Sequence, residues 1–348
     1  MAFEMEKEIL QQPDVLQNLI EKYITKDNKI AFSLPNNIKK IKFIASGSSY
    51  HCAHMVSKLF REYANIKTHC EYSSEFIISK NLFIENNTLY IFISQSGETA
   101  DTVEALKKVI TLGGTTMCVT NCKNSTLWNL CDYKILSEAG EEKSIASTKA
   151  LLAQIFCLYL IMLEYLATKQ HKVESEILEI RKLPHFISNF LNKSAQIKSI
   201  AKKISKCKSV TIIGSKYYYS VAKEGALKIK ETSYINANAY PQGEFLHGHV
   251  AVLNNSQSAL IAICVDETKE STNIIVNKIL ENYSPELIII SNEDEIPHKK
   301  AQNIKIDTKN NIFTIFAAVI SFQILAFETA CALGRNIDKP IGLTKVVK

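Results

Sequence analysis

Glu224, Lys228 and Glu231 stand at i, i+4 and i+7 in the stretch EGALKIKETSYINANAYPQGEFLHGH, residues 224–249. On a helix that spacing puts all three on one face. Ala226, Leu227 and Ile229 take another face and require a core. Pro241 and Gly243 then mark a turn, followed by Glu244 and His247. A surface helix laced by a Glu–Lys pair is the ordinary meaning of such spacing. The same residues also form a proton-transfer set. Moving a proton between adjacent carbons of a sugar needs a carboxylate base, a group that opens the ring and often an amine for the carbonyl.

Three serine-rich segments supply a second kind of chemistry: Ser46–Ser49, Ser94–Thr99 and Ser147-Thr148. Each stands where a strand or loop leads into a helix. Helix N-termini present unpaired N–H groups and a positive dipole end. Hydroxyls add neutral donors, and glycine allows close backbone approach, so together they make a cradle for a phosphorylated ligand. Any one segment alone reads as an N-cap serine; three with the same placement favour the cradle. The chain has no GxxxxGK[ST] and no GxGxxG after its first strand, so a nucleotide P-loop and a dinucleotide site are not expected.

These residues need a scaffold of short strands alternating with helices. Ile41–Ala45, Thr88–Ile93, Thr116–Thr120 and Tyr133–Leu136 read as strands, with helices at Tyr50–Tyr63 and Ala100–Leu112 and a long apolar helix opened by Ser147-Thr148-Lys149. A charged helical stretch, Lys172–Lys206, should bridge to a second unit. There Val210–Ile213, Leu260–Val265 and Leu287–Ile290 are strands, and Ile312–Leu333 is a helix stopped by Gly334. The pattern predicts an α/β protein with parallel sheets covered on both faces, whose ligands bind at the carboxyl ends of the strands. The expected organisation is a helical arm at 1–35, one domain at 36–190, a second at 191–335, and a tail at 336–348 that enters the active site.

Composition narrows the class. The 348 residues are 46% hydrophobic, enough for two cores, and the net charge of +6 is spread without a basic block, which argues against nucleic acid. The nine cysteines form no CxxC pair, and with no secretory apolar segment after Met1 the expectation is a reduced, cytoplasmic chain. Gln154, Glu164, Gln323 and Glu328 interrupt the most apolar runs, which therefore read as buried helices and not membrane spans. His51 and His54 lie one helical turn apart without an evident third ligand, so no metal site is expected. His247 and His249 form HxH, where acid–base work suits His247 and a structural role suits His249. The Tyr217-Tyr218-Tyr219 run reads as a wall of the fold.

ISQSGETADTVEAL (93–106), IASTKALLAQ (145–154) and EGALKIKETSYINANAYPQGEFLHG (224–248) closely resemble the isomerase half of the glucosamine-6-phosphate synthase family, which is built of two sugar-isomerase (SIS) domains. The opening FEMEKEILQQP and the tail DKPIGLTKVVK resemble the start and end of that half. The resemblance implies two flavodoxin-like αβα sandwiches and the interconversion of fructose 6-phosphate plus ammonia with glucosamine 6-phosphate, with no cofactor. It implies that Ser48, Ser49, Ser94, Gln95, Ser96 and Thr99 bind the sugar phosphate, and that Ile145 and Ser147 line the sugar. Glu231 matches the base working between C1 and C2, Glu224 and Lys228 its supporting residues, and Lys345 the Schiff-base lysine. His247 matches the ring-opening histidine, which in the family comes from the neighbouring subunit of a homodimer. The sequence departs from the family in two respects. It contains no glutamine-hydrolysing domain, and His249 follows Gly248 where a proline is usual. The expected activity is that of a stand-alone isomerase domain; the alternatives are a synthase subunit with a separate glutaminase, a SIS-type glucosamine-6-phosphate deaminase, and a non-catalytic sugar-phosphate-binding regulator.

Overall fold

Strands buried on both faces read as continuous apolar runs, because helices cover a parallel sheet above and below. TLYIFIS and SALIAIC are such runs, and all seven residues of each are buried. The computed structural model describes residues 3–254 and 257–345; the last three residues of the expected tail and the first two of the expected arm lie outside them. In chain order the elements are α1 (Glu4–Leu10), α2 (Gln12–Tyr23), β1 (Lys40–Ala45), α3 (Gly47–Tyr63), β2 (Lys67–Tyr72), α4 (Ser73–Ile78), β3 (Thr88–Ser94), α5 (Ala100–Thr111), β4 (Thr115–Thr120), α6 (Thr126–Leu130), β5 (Tyr133–Leu136) and α7 (Lys149–Thr168). They continue with α8 (Glu174–Ile180), α9 (Leu183–Asn192), α10 (Ala195–Ile204), β6 (Ser209–Gly214), α11 (Tyr218–Ser233), β7 (Asn236–Pro241), α12 (Gln242–Phe245), β8 (Ser258–Cys264), α13 (Lys269–Leu280), β9 (Glu286–Ser291), β10 (Gln302–Lys305) and α14 (Asn311–Ala332).

Two five-stranded sheets result, ordered β2-β1-β3-β4-β5 and β7-β6-β8-β9-β10. Every pairing is parallel. The order is the same in both, and the fully buried strand is the central one in each. The chain packs as two units. The first-sheet unit comprises Gln11–Glu142, Lys149–Pro184 and the described part of Thr344–Lys348; the second-sheet unit comprises the described part of Met1–Leu10, Lys143–Thr148 and His185–Leu343.

The expected strands and long helices are present, with ends shifted by a residue or a few. Three edge strands are additional, β2, β7 and β10. KTHCEY and NANAYP carry few β-branched residues, and pairing with β1 and β6 makes them strands despite weak propensity. The 172–206 stretch is three helices, α8 to α10, with Pro184 near the start of one of them. The described part of the tail has turns and no helix or strand. Helices α7 and α14 are long and apolar enough to cross a membrane by length and composition, yet 83% of each apolar window is buried inside the protein.

In the second-sheet unit α11 lies close against α14. A Cβ on Gly225 would fall 2.5 Å from the Phe322 ring. One helical turn pair further on, the Thr232 hydroxyl donates to the Ala326 carbonyl at 3.1 Å. That contact face fixes the direction in which Glu224, Lys228 and Glu231 point.

The two sheets differ where their central strands end. After β3 the chain runs through serines and a glycine; after β8 it runs Val265-Asp266-Glu267. Asp266 has φ +50°. Its carboxylate accepts from Asn292 Nδ2 at 2.5 Å and from the Tyr218 hydroxyl. The chain's own anion therefore closes this turn. Burial pushes the Asp266 carboxyl above its ordinary range, against the pull of Tyr218 and Asn292.

Two stability predictions follow from this packing. Gly225→Val should lower the stability of the second-sheet unit by about 1–3 kcal/mol through overpacking against Phe322, read from the urea midpoint; an unchanged midpoint would show that the ring yields freely. For Asp266, the raised folded value means that the folded chain keeps its proton as pH climbs past the unfolded value of about 3.9. Stability is therefore lost with rising pH through that window. Asp266→Asn should raise the thermal midpoint at neutral pH and change it less near pH 4; equal effects at both would contradict this.

Candidate active site

The loop after β3 is built by its own hydroxyls. Ser94 is buried, and its Oγ shares a 2.8 Å hydrogen bond with Thr99 Oγ1 and accepts the Gly97 N–H at 3.1 Å. Ser96 Oγ accepts the Glu98 N–H at 3.1 Å. The Gln95 carbonyl accepts the Asn121 N–H at 3.0 Å, tying the loop to the end of β4. Gly97 has φ +67°, and a Cβ there would lie 2.1 Å from Ser125 Oγ. Only glycine satisfies both demands. Glu98, an acid beside the proposed cradle, is turned aside: its carboxylate accepts from the Thr126 N–H and hydroxyl at 2.7 and 2.8 Å.

The parallel register places the ends of β1, β3 and β4 side by side, with Ala45 opposite Ile93 and Ser94 opposite Thr120. The loop after β1 thus begins beside the loop after β3. Ser48 and Ser49 sit half-buried in the first turn of α3. Ser49 donates to Gln154 Oε1 of α7 at 3.0 Å. Ser46 and Thr99, the N-cap residues of α3 and α5, make no side-chain cap. The ordinary N-cap reading is therefore not how those two hydroxyls are used. His51 and His54 lie on α3, where His54 stacks on Tyr50 with ring centroids 5.8 Å apart.

Helix α11 carries the charged array in the second-sheet unit. Lys228 Nζ is 2.5 Å from Glu231 Oε2 and 3.5 Å from Glu224 Oε1. Side-chain exposure is 1% for Lys228, 2% for Glu224 and 21% for Glu231. A solvated surface helix is thus excluded: the face with the charges is itself buried, while Leu227 on the supposed core side is half-buried. An ammonium enclosed between two carboxylates fixes both, and leaves the partly open Glu231 as the one that can meet a ligand.

In the second-sheet unit, segment 143–148 is pinned by the buried Glu8, which accepts the Ser144 N–H at 3.2 Å, and by Gln323, which donates to the Thr148 carbonyl at 3.2 Å. Ile145 and Ser147 are half-exposed while Ser144, Ala146 and Thr148 are buried, so alternate side chains face outward. His247 is exposed in the turn after α12, its N–H bonded to the Glu244 carbonyl at 2.9 Å. His249 packs on Tyr240 at 4.5 Å. In the first-sheet unit, Lys345 Nζ lies 2.6 Å from Glu142 Oε2.

Two further polar side chains meet residues of the site, Gln154 at Ser49 and Glu142 at Lys345. Gln154 interrupts an apolar run and so carries a signal, whereas Glu142 stands in the charged stretch EAGEEK and carries none.

Comparison with known proteins bears on the family and the fold. The chain is 35% identical to the glutamine–fructose-6-phosphate aminotransferase (isomerizing) of Buchnera aphidicola subsp. Baizongia pistaciae, over 99% of this chain and 58% of that protein. It therefore spans somewhat more than half the length of such relatives. Among solved structures, it is similar to the C-terminal domain of glucosamine-fructose-6-phosphate aminotransferase from Francisella tularensis, with TM-score 0.92 and 27% identity, covering 97% of this chain and 99% of that one. The fold is shared with a glucosamine-6-phosphate deaminase from Thermotoga maritima, at TM-score 0.77 and 21% identity over 99% of each chain. The SIS domain matches twice, at residues 36–163 and 203–331. Each match covers a different one of the two parallel sheets, and the chain belongs to the SIS domain family.

Proposed function

We propose that this chain is a phosphosugar aldose–ketose isomerase that interconverts fructose 6-phosphate plus ammonia and glucosamine 6-phosphate. The observation that carries the reading is the buried array on α11, in which Lys228 is enclosed by Glu224 and Glu231 and only Glu231 retains access. A carboxylate so held can remove a proton from one sugar carbon and return it to the next.

The remaining roles follow from what each group can do. The Ser94–Thr99 turn offers hydroxyls and backbone N–H groups to the phosphate, with Ser48 and Ser49 beside it, and Ile145 and Ser147 contact the sugar. His247 opens the ring. Its exposed turn suits delivery to a second copy of the chain, so the working form is a homodimer. Lys345 forms a Schiff base with the open-chain ketose, and ammonia displaces it in the amino-sugar direction. When glutamine is the nitrogen source, a glutaminase supplies that ammonia. The residues invoked need no cofactor.

The direct test is to supply purified protein with fructose 6-phosphate and ammonia, and separately with glucosamine 6-phosphate. Conversion is expected in at least one direction, and conversion in neither would refute the reading. Glu231→Gln should cut exchange of the C2 proton with solvent by at least about 100-fold, with an unchanged circular dichroism spectrum; near-normal exchange would remove Glu231 from the role of base. Gly97→Ala should raise KM for the sugar phosphate about tenfold, since a strained αL alanine and a clash with Ser125 distort the turn. An unaltered KM would place the phosphate elsewhere.

A further inference from the structure

The proposal starts from a buried acid that the roles above leave without a task. Glu142 has a side-chain exposure of 0%. Its Oε1 accepts the Ala150 N–H at 3.0 Å, in the first turn of the 20-residue helix α7. Its Oε2 faces Lys345 Nζ at 2.6 Å. Lys345 lies near the end of a tail that has no helix or strand among its described residues, and its side chain is 25% exposed. We infer that Glu142 is the positioning residue for the Lys345 amine, fixing it in the first-sheet unit before a sugar phosphate arrives. The inference rests on the reading of Lys345 as the Schiff-base lysine.

Sinking a carboxylate out of water is costly unless its lone pairs are met. Here the N-terminal end of α7 meets one oxygen, and the helix dipole favours the negative charge. That bond fixes the carboxyl group and turns the second oxygen toward the amine. A lysine on an irregular tail has four rotatable bonds and loses about 2 kcal/mol of rotamer entropy when ordered. Holding the amine in advance moves that cost out of the reaction step. A pair needed only for stability would not require the lysine to keep partial exposure at a chain segment with so little regular structure.

The chemistry to be followed is an imine. Lys345 Nζ adds to the C2 carbonyl of the open-chain ketose, water leaves, and a C=N bond remains. Borohydride then delivers hydride to that carbon and fixes the adduct as a secondary amine, located on the Lys345 peptide by mass spectrometry. Glu142→Gln keeps an oxygen for the Ala150 N–H but loses the charge, so the helix start is preserved. With fructose 6-phosphate, this variant should trap about tenfold less adduct and show kcat lowered about 10–100-fold, with KM within about twofold. Glu142→Asp should recover part of the trapping.

A second measurement does not depend on turnover. In the unliganded protein, acetylation of Lys345 should quicken about threefold or more in Glu142→Gln, as expected on losing a buried ion-pair partner, while the exposed Lys339 keeps its rate. If trapping and acetylation in Glu142→Gln both match the unaltered protein, the inference is overturned. If the unaltered protein traps no adduct at Lys345, the Schiff-base reading fails instead, and acetylation alone decides whether Glu142 holds the amine.

Discussion

An ammonium withdrawn from water must be answered by negative charge, and the enclosure of Lys228 between Glu224 and Glu231 answers it within one helix. The spacing of 224, 228 and 231 gives the three groups a common face. The close seat of α11 on α14, where Gly225 meets Phe322 and Thr232 meets Ala326, gives that face its direction. A larger residue at 225 would lift the helix and with it the partly open Glu231. Packing and chemistry are therefore set by neighbouring residues on the same helix.

The first-sheet unit carries a turn built from neutral groups. Ser94, Ser96 and Thr99 bond to one another and to loop N–H groups, and Glu98 is drawn off to the start of α6. The second sheet, of the same strand order, shows the contrast: its corresponding turn holds Asp266, bonded by Asn292 and Tyr218. One architecture thus carries a hydroxyl-built turn in one copy and a turn closed by its own carboxylate in the other.

Much of the scaffold was legible in sequence, because the central strands are unbroken apolar runs and serine turns follow β1 and β3. TLYIFIS and SALIAIC announced buried strands, and the strand pattern restarting at Val210 announced the second unit. KTHCEY and NANAYP gave no such signal, since edge strands owe their form to the neighbour they pair with. The charged helix face was legible as a spacing but not as a buried array, because Glu–Lys spacings are far commoner on surfaces.

Sequence alone determined which chemical groups are present and how they are spaced along each element: three hydroxyl turns, one Glu-Lys-Glu face, a late histidine and a lysine near the end. Only tertiary structure decided which of those groups lose water and which partners they meet. It buried Lys228 and left Glu231 partly open, freed Ser46 and Thr99 from capping, set His249 on Tyr240, and brought Glu142 to Lys345 across some two hundred residues. The reason is physical. Spacing is a property of the local backbone, whereas desolvation and pairing depend on surfaces contributed by residues far away in the chain.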